Sequence, residues 1–321
     1  MITSFAFEGS LLKRQGPLDG AFAGPPVWVD LLNPDMGEIQ KVDTAFGLDL
    51  PTLEEMREIE TSSRLYEEGG TFYMTVVYVA DSLGDQPDAV PLTFVLKEGL
   101  LLTIRYREMR IIKHLTEKAE SKGLSGSKTN SALMALILES IVDLSADALE
   151  KNHMTIETQR RKVFDDKEGA KDYKQFLRQI AKIDELNSMM RESLVSLSRL
   201  HSFLLPAFRA MKADDEAAAK LHTLTADVHS LLDHAAFISN KTSFLLDATL
   251  GLVNIEQNAI IKIFSVAAVI FLPPTLVASI YGMNFKIIPE LSWTMGYPFA
   301  LVLMILSAVL PYVYFKRRGW L

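Results

Sequence analysis

Oxygen-bearing side chains recur at helical spacing in the last quarter of this chain, and hard divalent cations prefer oxygen ligands. The positions run in alternating steps of four and three residues, which puts them on one face of a supercoiling helix. Most of them are small or polar, and we call this face the seam. Its members are Asp247, Gly251, Asn254, Asn258, Ile261, Ser265, Ala268, Leu272, Thr275 and Ser279.

Two interpretations of the seam fit this spacing equally well. A dry helix contact fits because small residues let two helices approach closely. A water-filled pore also fits, since several copies around an axis would line it with carbonyl and hydroxyl oxygens. In a pore, Ile261, Phe264 and Leu272 would form apolar constrictions, and Asp247 would form an acidic ring at the inner mouth. An ordinary stalk carboxylate is the simpler interpretation of Asp247.

Two charge-free segments near the end of the chain are long enough to cross a membrane. They are residues 264–281 and 297–315, with 18 and 19 residues. A helix rises about 1.5 Å per residue, so each can span a hydrocarbon core of ~30 Å. The loop between them carries Lys286 and Glu290, whose charges cancel, and the second segment is followed by Lys316, Arg317 and Arg318. The positive-inside rule therefore places this tail and the N-terminal body in the cytoplasm.

Composition excludes several classes of function. The net charge of -7 gives no support for nucleic-acid binding. The chain has no cysteine, so it has neither a disulfide framework nor a cysteine metal site. No phosphate loop, nucleophile triad or paired-carboxylate motif stands out, and we expect no enzymatic activity and no organic cofactor.

Three histidines lie close together ahead of the first apolar segment. His222, His229 and His234 share this region with Asp227 and Asp233. Imidazole and carboxylate together can bind zinc or cobalt. Solvated residues of a stalk helix are the favoured interpretation.

Residues 1–125 show the pattern of an α+β domain, a small sheet covered by helices. Helices are predicted from Asn33-Pro34-Asp35 to a stop at Gly47, at 51–59 and at 107–122. A turn-rich linker is predicted at 123–127. Strands are predicted at Ile2–Phe7, Val27–Leu31, Thr71–Val79, Leu92–Leu96 and Leu100–Tyr106.

The rest of the chain is predicted to be helical. Apolar stripes indicate a long helical hairpin at 126–205, with a charged turn at 165–169 and Asn187 within its second stripe. A further helix is predicted from about Asp214 into the membrane, because no clear stop intervenes. The expected order is a stalk at 206–262, a first span at 263–281, a loop at 282–296, a second span at 297–315 and a basic tail at 316–321.

The loop carries the most specific motif of the chain. Tyr281-Gly282-Met283-Asn284-Phe285 is followed by Ile288-Pro289-Glu290-Leu291, then by Trp293 and Gly296-Tyr297-Pro298. Together with the basic ending, this arrangement resembles the signature of the CorA family of magnesium transporters. The strong resemblance covers residues 247–321, and the remainder resembles the family in architecture only. Ile288 stands where the family usually has methionine.

The resemblance implies a funnel-shaped homopentamer whose first spans line one central pore. Asn284 and the carbonyl of Gly282 would then hold a hydrated cation at the periplasmic mouth, with Glu290 in the same loop. Met283 favours the magnesium branch, because the zinc-transporting ZntB branch usually has Gly-Ile-Asn. Pore-lining positions would be Asp247, Asn254, Asn258 and Thr275, with Ile261, Phe264 and Leu272 as the apolar gate.

The family resemblance also implies a function. It is Mg²⁺ influx across the bacterial inner membrane, driven by the membrane potential, with Co²⁺ and Ni²⁺ as further candidate ions. Intracellular Mg²⁺ would close the channel by binding between neighbouring cytoplasmic domains. Glu55 and Asp227 are the expected ligands of that regulatory ion, and Lys316, Arg317 and Arg318 would form a basic ring.

Two other functions remain open from the sequence. One is a proton-coupled Zn²⁺ or Co²⁺ transporter of the ZntB type. The other is a membrane-anchored sensor of divalent cations that conducts nothing. The polar seam argues against a sensor, because a helix that only anchors a protein in the membrane needs no polar face.

Overall fold

The computed structural model divides the chain into two compact units, Met1–Leu245 and Leu246–Leu321. The described residues are 1–15, 25–121, 123, 128–165, 172–211, 213–284, 286 and 288–319. The charged turn expected at 165–169 and the linker expected at 123–127 therefore lie outside the described residues, apart from Asp165 and Gly123. Phe285 of the motif and the last two residues of the tail lie outside them as well.

The first unit is built on a mixed sheet, which has seven strands within the described residues. The strand order is β2-β1-β3-β7-β6-β5-β4, and only β3 and β7 pair in parallel. The strands are β1 (Ile2–Glu8), β2 (Leu11–Gln15), β3 (Trp28–Leu32), β4 (Leu65–Glu68), β5 (Thr71–Ala80), β6 (Asp88–Lys97) and β7 (Leu100–Arg105). The five predicted strands are confirmed, and the sheet is larger than expected by its two edge strands.

Helix α1 (Met36–Phe46) begins and ends where its capping residues predict. Asp35 accepts a hydrogen bond from the N–H of Glu38, and the Glu38 carboxylate accepts one from the N–H of Asp35, at 2.8 and 3.2 Å. This reciprocal capping satisfies two amides at the helix start. Gly47 ends the helix in the left-handed conformation, with φ of 60°, which glycine adopts without steric cost.

The helix predicted at 51–59 is wrong in extent. Two single-turn helices, α2 (Leu53–Met56) and α3 (Thr61–Arg64), occupy this region instead. Thr52 and Glu55 form a second capping box, so the start was readable, but only Met56 of α2 is buried. Short helices are marginal without an apolar face to pack, and one anchoring residue supports a single turn. Helix α4 (Arg110–Ser121) confirms the helix predicted at 107–122.

Three long helices complete the first unit, and the last of them continues into the second. They are α5 (Asn130–Phe164), α6 (Tyr173–Ala210) and α7 (Asp215–Tyr281). Helix α6 passes through Pro206, so the expected boundary between hairpin and stalk at 205/206 falls inside it. Pro206 has no backbone N–H, so the carbonyl of Ser202 lacks its usual partner in the helix. Helix α7 has 67 residues and confirms the expectation of one uninterrupted helix.

Buried side-chain amides and hydroxyls join these helices to the sheet and to one another. Asn130 of α5 donates to the carbonyls of Lys97 and Leu100, at the hairpin between β6 and β7. Ser193 of α6 donates to the carbonyl of Val77 on β5 at 2.7 Å. Within the bundle, Asn152 donates to the carbonyl of Ile183 and Asn187 to that of Ala235, each at 3.0 Å. These directional hydrogen bonds fix the position of each helix along its neighbours. Apolar packing alone does not specify that position.

The parallel strand pair contains a buried ion pair. Arg105 of β7 donates to the carboxylate of Asp30 on β3 at 2.8 Å, and both side chains are less than one tenth exposed. Thr103 donates to the same carboxylate at 2.6 Å, and the indole N–H of Trp28 donates to Thr103 at 3.0 Å. Desolvated charges are stabilising only with such complete pairing, so this network ties the centre of the sheet together.

The second unit consists of the apolar part of α7, a 3₁₀ turn at Pro289–Ser292 and helix α8 (Gly296–Arg317). Both helices are long and apolar enough to cross a membrane, and their apolar side chains are mostly exposed. The spans expected at 263–281 and 297–315 lie within these two helices. A short turn that joins two spanning helices is the arrangement that a membrane hairpin requires.

We predict that Asp30→Ala destabilises the first unit by about 3–5 kcal/mol, because the buried Arg105 would keep only the exposed Glu108 carboxylate, 3.9 Å away, as a counter-charge. The matched control is Asp88→Ala, which breaks the exposed pair between Asp88 and Arg107 at 3.0 Å. Exposed pairs contribute about 0–1 kcal/mol. Thermal unfolding of the detergent-purified chain would measure both variants. Equal losses would refute the special role of the buried pair.

A second prediction concerns acid sensitivity. His201 of α6 is fully buried, and neither ring nitrogen has a hydrogen-bond partner among the described residues. Burial, with a smaller effect from nearby His229, lowers the pKa of His201 from 6.5 to about 4. Between these two values the unfolded chain binds the extra proton and the folded chain does not. Stability should therefore be complete above about pH 6.5 and fall by roughly 3 kcal/mol toward pH 4.

The variant that tests this is His201→Leu, with His222→Leu on the exposed face of α7 as the control. Unfolding of the full chain would be followed at several pH values between these limits. His201→Leu should flatten the acid-dependent loss, whereas His222→Leu should keep it. An unchanged pH profile in His201→Leu would assign the acid sensitivity to other groups.

Candidate ion pathway

The structure places every residue of the seam on helix α7 and leaves all ten exposed in the single chain. Three apolar positions are prominent, since Ile261, Phe264 and Leu272 are 53%, 71% and 64% exposed. Neighbouring apolar positions of α7 are exposed too, so exposure alone does not separate the seam from a lipid-facing surface. Its chemistry does, because hydroxyl, amide and carboxylate groups are costly in hydrocarbon.

The middle of the first apolar segment contains freed backbone oxygens. Pro273 and Pro274 lie inside α7 and lack the N–H groups that would bond to the carbonyls of Val269 and Ile270. The hydroxyl of Thr275 donates to the carbonyl of Phe271 at 2.8 Å and keeps its own lone pairs as acceptors. This turn therefore offers several oxygens to water, to a partner helix or to a cation.

The Gly-Met-Asn motif lies directly at the end of α7. The N–H of Gly282 donates to the carbonyl of Ala278 at 2.9 Å, and that of Met283 to Ile280 at 3.2 Å. A Cβ atom at residue 282 would meet the Ala278 carbonyl at 3.2 Å, so glycine gives this helix end its closest fit. Asn284 follows as an exposed residue whose side chain has no hydrogen-bond partner among the described residues. No described residue therefore occupies the amide of Asn284.

The second part of the loop is a tight turn that carries Glu290. The N–H of Trp293 donates to the carbonyl of Glu290 at 3.3 Å, and the Trp293 ring contacts the edge of Phe299. Gly296 starts α8 directly against this turn. A Cβ atom there would lie 2.1 Å from the Glu290 carbonyl oxygen, closer than any real contact. Glycine at 296 is therefore required by the backbone that presents Glu290.

The two expected regulatory residues occupy different settings. Glu55 is engaged in its capping box and accepts hydrogen bonds from the backbone and hydroxyl of Thr52, at 2.8 and 2.9 Å. Asp227 is exposed on α7. Within the described part of one chain, no group of three or more His, Asp or Glu side chains could hold a metal ion. A shared ion would therefore need ligands from more than one subunit.

The sequence analysis missed an acidic group on α5. Glu139, Asp143 and Asp147 are spaced four residues apart and face Lys220 and Asp227 of α7. Burial raises the pKa of Asp143, and the neighbouring Glu139 is the next largest cause. Lys220 donates to Glu139 at 2.6 Å and neutralises part of this charge. The repeat of four was visible in the sequence, whereas its partner on α7 required the fold.

The three stalk histidines do not form one metal site within the described residues. His234 stacks on His153 of α5, with 5.4 Å between ring centroids, and both rings contact Phe237. Burial, with His153 as a second cause, lowers the pKa of His234. His222 and His229 are exposed, as expected, but His234 belongs to an aromatic cluster rather than to a solvated face.

The basic residues of the tail lie at the end of α8. Lys316, Arg317 and Arg318 are exposed, and the Lys262 side chain of α7 donates to the carbonyl of Gly319 at 3.4 Å. Positive charge from both helices of the second unit is thus gathered at one end. The motif residues 282–284 lie at the opposite end of α7's apolar segment.

Comparisons with known proteins show which family the chain resembles. A family model described as CorA-like Mg²⁺ transporter protein matches residues 24–317. The Magnesium transport protein CorA of Pectobacterium atrosepticum is 34% identical over 321 residues, which cover 100% of both chains. The similarity extends through the first unit as well as the apolar helices.

Two solved structures share the fold. The complete CorA magnesium transporter from Methanocaldococcus jannaschii matches with a TM-score of 0.79 at 21% identity, over 100% of this chain and 98% of that chain. The ZntB cytoplasmic domain from Vibrio parahaemolyticus matches with a TM-score of 0.61 at 10% identity, over 78% of this chain and 97% of that chain. Because the family model matches residues 24–317 and the sequence relative matches the full length, the chain belongs to the CorA family of Mg²⁺ transporters.

Proposed function

We propose that this chain is one subunit of a homopentameric Mg²⁺ channel in the bacterial inner membrane. The observation that carries the proposal is the uncovered oxygen-bearing seam of α7, which leads to the exposed amide of Asn284. Five seams around an axis would satisfy their polar groups with water and ions. The family relatives named for magnesium transport support Mg²⁺ as the principal ion.

Selection would begin at the loop between the two spans. Mg²⁺ gives up its water reluctantly, so a ring of Asn284 amides and Gly282 carbonyls would contact the hydrated ion and leave it intact. Glu290 on the neighbouring turn would raise the local cation concentration. Met283 contributes backbone and apolar bulk to the same mouth.

Conduction would follow the seam towards the cytoplasm. Thr275, Asn258 and Asn254 would supply oxygens at successive levels, and Asp247 would form an acidic ring at the inner mouth. Ile261, Phe264 and Leu272 would close the path when the helices approach, because apolar constrictions gate by excluding water. A divalent ion gains about 4.6 kcal/mol per 100 mV as it moves inward, so the membrane potential suffices as the driving force.

Closure would be controlled by Mg²⁺ inside the cell. In this proposal Glu55 of one subunit and Asp227 of its neighbour share an ion that holds the cytoplasmic domains together. Both termini and the segments at 1–125, 126–205 and 206–262 would be cytoplasmic, with the loop at 282–296 in the periplasm. Co²⁺ and Ni²⁺ have hydrated sizes close to that of Mg²⁺ and would compete for the same pathway.

The alternative is a proton-coupled Zn²⁺ or Co²⁺ transporter of the ZntB type, whose cytoplasmic domain has a similar fold. Purified protein in liposomes with an ion-sensitive dye separates the two functions. An inside-negative potential without a pH gradient should drive Mg²⁺ entry in the proposed channel. Zn²⁺ entry only when a proton gradient is present would establish the alternative, and no entry of any ion would leave a non-conducting sensor.

We predict that Asn284→Ala and Gly282→Ala each reduce Mg²⁺ influx to background while the oligomer stays assembled. The first removes the amide that meets the hydrated ion, and the second introduces a Cβ atom at 3.2 Å from the Ala278 carbonyl. The matched control is Gln40→Ala, which removes an exposed amide from helix α1 in the first unit. Normal influx in both loop variants would refute the assignment of the filter.

We also predict that Gly296→Ala lowers Mg²⁺ influx at least tenfold. The added Cβ atom would lie 2.1 Å from the Glu290 carbonyl oxygen, so the turn must move. Each factor of ten corresponds to on the order of 1.4 kcal/mol of lost ion stabilisation. Met295→Ala is the control, since that neighbouring side chain is 70% exposed. The same liposome assay measures both. Equal influx in the two variants would show that the turn at Glu290 does not contribute to ion entry.

A further inference from the structure

Four basic side chains gather at one end of the two apolar helices in the second unit. Lys262 is the last charged residue before the apolar segment of α7, and three basic residues follow that of α8. The 3.4 Å contact between the Lys262 side chain and the Gly319 carbonyl brings both helix ends into one surface. We call this surface the basic patch, and it consists of Lys262, Lys316, Arg317 and Arg318.

The positive charge of the basic patch has no counterpart within the described residues. All four side chains are exposed, and none is ion-paired with a carboxylate in the described part of the chain. Residues 246–321 contain three acidic side chains, Asp247, Glu256 and Glu290. The nearest along α7 is Glu256, about 9 Å from the level of Lys262 by helical rise. The patch is therefore open to an anion from outside the described part of the chain.

Aromatic rings hold two of these cations beside the apolar surface. The ammonium group of Lys316 lies 5.9 Å from the ring centre of Tyr312, and the guanidinium carbon of Arg318 lies 5.6 Å from that of Tyr314. Both tyrosine rings are exposed. Tyrosine favours the headgroup region of a bilayer, and a cation above its ring is attracted to it. These contacts keep the charges at headgroup depth.

We propose that the basic patch binds the phosphate of an anionic phospholipid in the cytoplasmic leaflet. Arginine offers a planar fork that fits a phosphate, and lysine adds a compact point charge. Juxtamembrane basic residues are attracted to anionic lipids by such charges. A soluble acidic protein fits less well, because the patch borders directly on apolar helix and tyrosine rings. The inference rests on the proposed orientation, in which this end of the helices is cytoplasmic.

Lipid binding to the purified full-length protein tests the inference. Mixed micelles would contain either phosphatidylglycerol or phosphatidylcholine, and native mass spectrometry would count the lipids retained. The wild type should retain about tenfold more of the anionic lipid, as several basic contacts imply. The preference should shrink between about 50 mM and about 500 mM NaCl, because salt screens exposed charges. The variant Lys262→Gln/Lys316→Gln/Arg317→Gln/Arg318→Gln should lose it.

The control is Lys286→Gln, which removes a charge from the loop at the other end of the helices and should keep the preference. Equal retention of both lipids by the wild type, or an undiminished preference in the quadruple variant, would overturn the inference. If gel filtration shows that the quadruple variant does not assemble, two other measurements test the inference. The lipid preference should be weaker in Lys262→Gln, and that of the wild type should fall as the salt concentration rises. Binding of an acidic peptide without any lipid preference would assign the patch to a soluble partner, which also overturns it.

The liposome assay keeps this inference separate from the proposed channel. Mg²⁺ influx by a protein that shows no lipid preference would leave the channel proposal standing and refute the lipid site. A clear preference for phosphatidylglycerol in a protein that conducts no ion would do the reverse. The two proposals therefore fail independently.

Discussion

A polar side chain inside a bilayer must meet water, an ion or another protein group, because hydrocarbon offers no hydrogen bond. This constraint governs the second unit. Ser265, Thr275 and Ser279 occupy one face of α7, and Pro273 and Pro274 free two backbone carbonyls in the same segment. Nothing in the described part of a single chain covers this face. The polar groups on this face of α7 therefore require other copies of the chain, water, or both as hydrogen-bond partners.

The first unit meets the same requirement by internal means. Its helices are joined through side-chain amides that donate to backbone carbonyls, as Asn130, Asn152 and Asn187 do. Each such bond contributes only about 1 kcal/mol net, yet leaving its acceptor unpaired costs more. The Asp30–Arg105 pair follows the same logic at the centre of the sheet. The polar groups of the first unit fix how its helices align with the sheet and with one another. The polar groups of the seam have no such partner within the described part of the chain.

Local signals were the ones that could be predicted from the sequence. Asp35 and Gly47 mark the ends of α1 because capping depends on neighbours within a few residues. The edge strand β2 and its counterpart β4 were missed, since their short charged sequences become strands only through pairing. At the candidate site, residue spacing defined the seam but did not decide between a dry helix contact and a water-filled pore. The Gly-Met-Asn motif identified the family, whereas the acidic group between α5 and α7 joins residues some 80 positions apart and required the fold.

The proline pair of α7 has a consequence for how the protein is made. A newly inserted chain would expose two unbonded carbonyls and a polar stripe to lipid, each at a cost of several kcal/mol. In the proposed homopentamer, contacts between subunits would remove this cost, whereas a single subunit would retain it. The stability of a subunit in the membrane would therefore depend on its assembly.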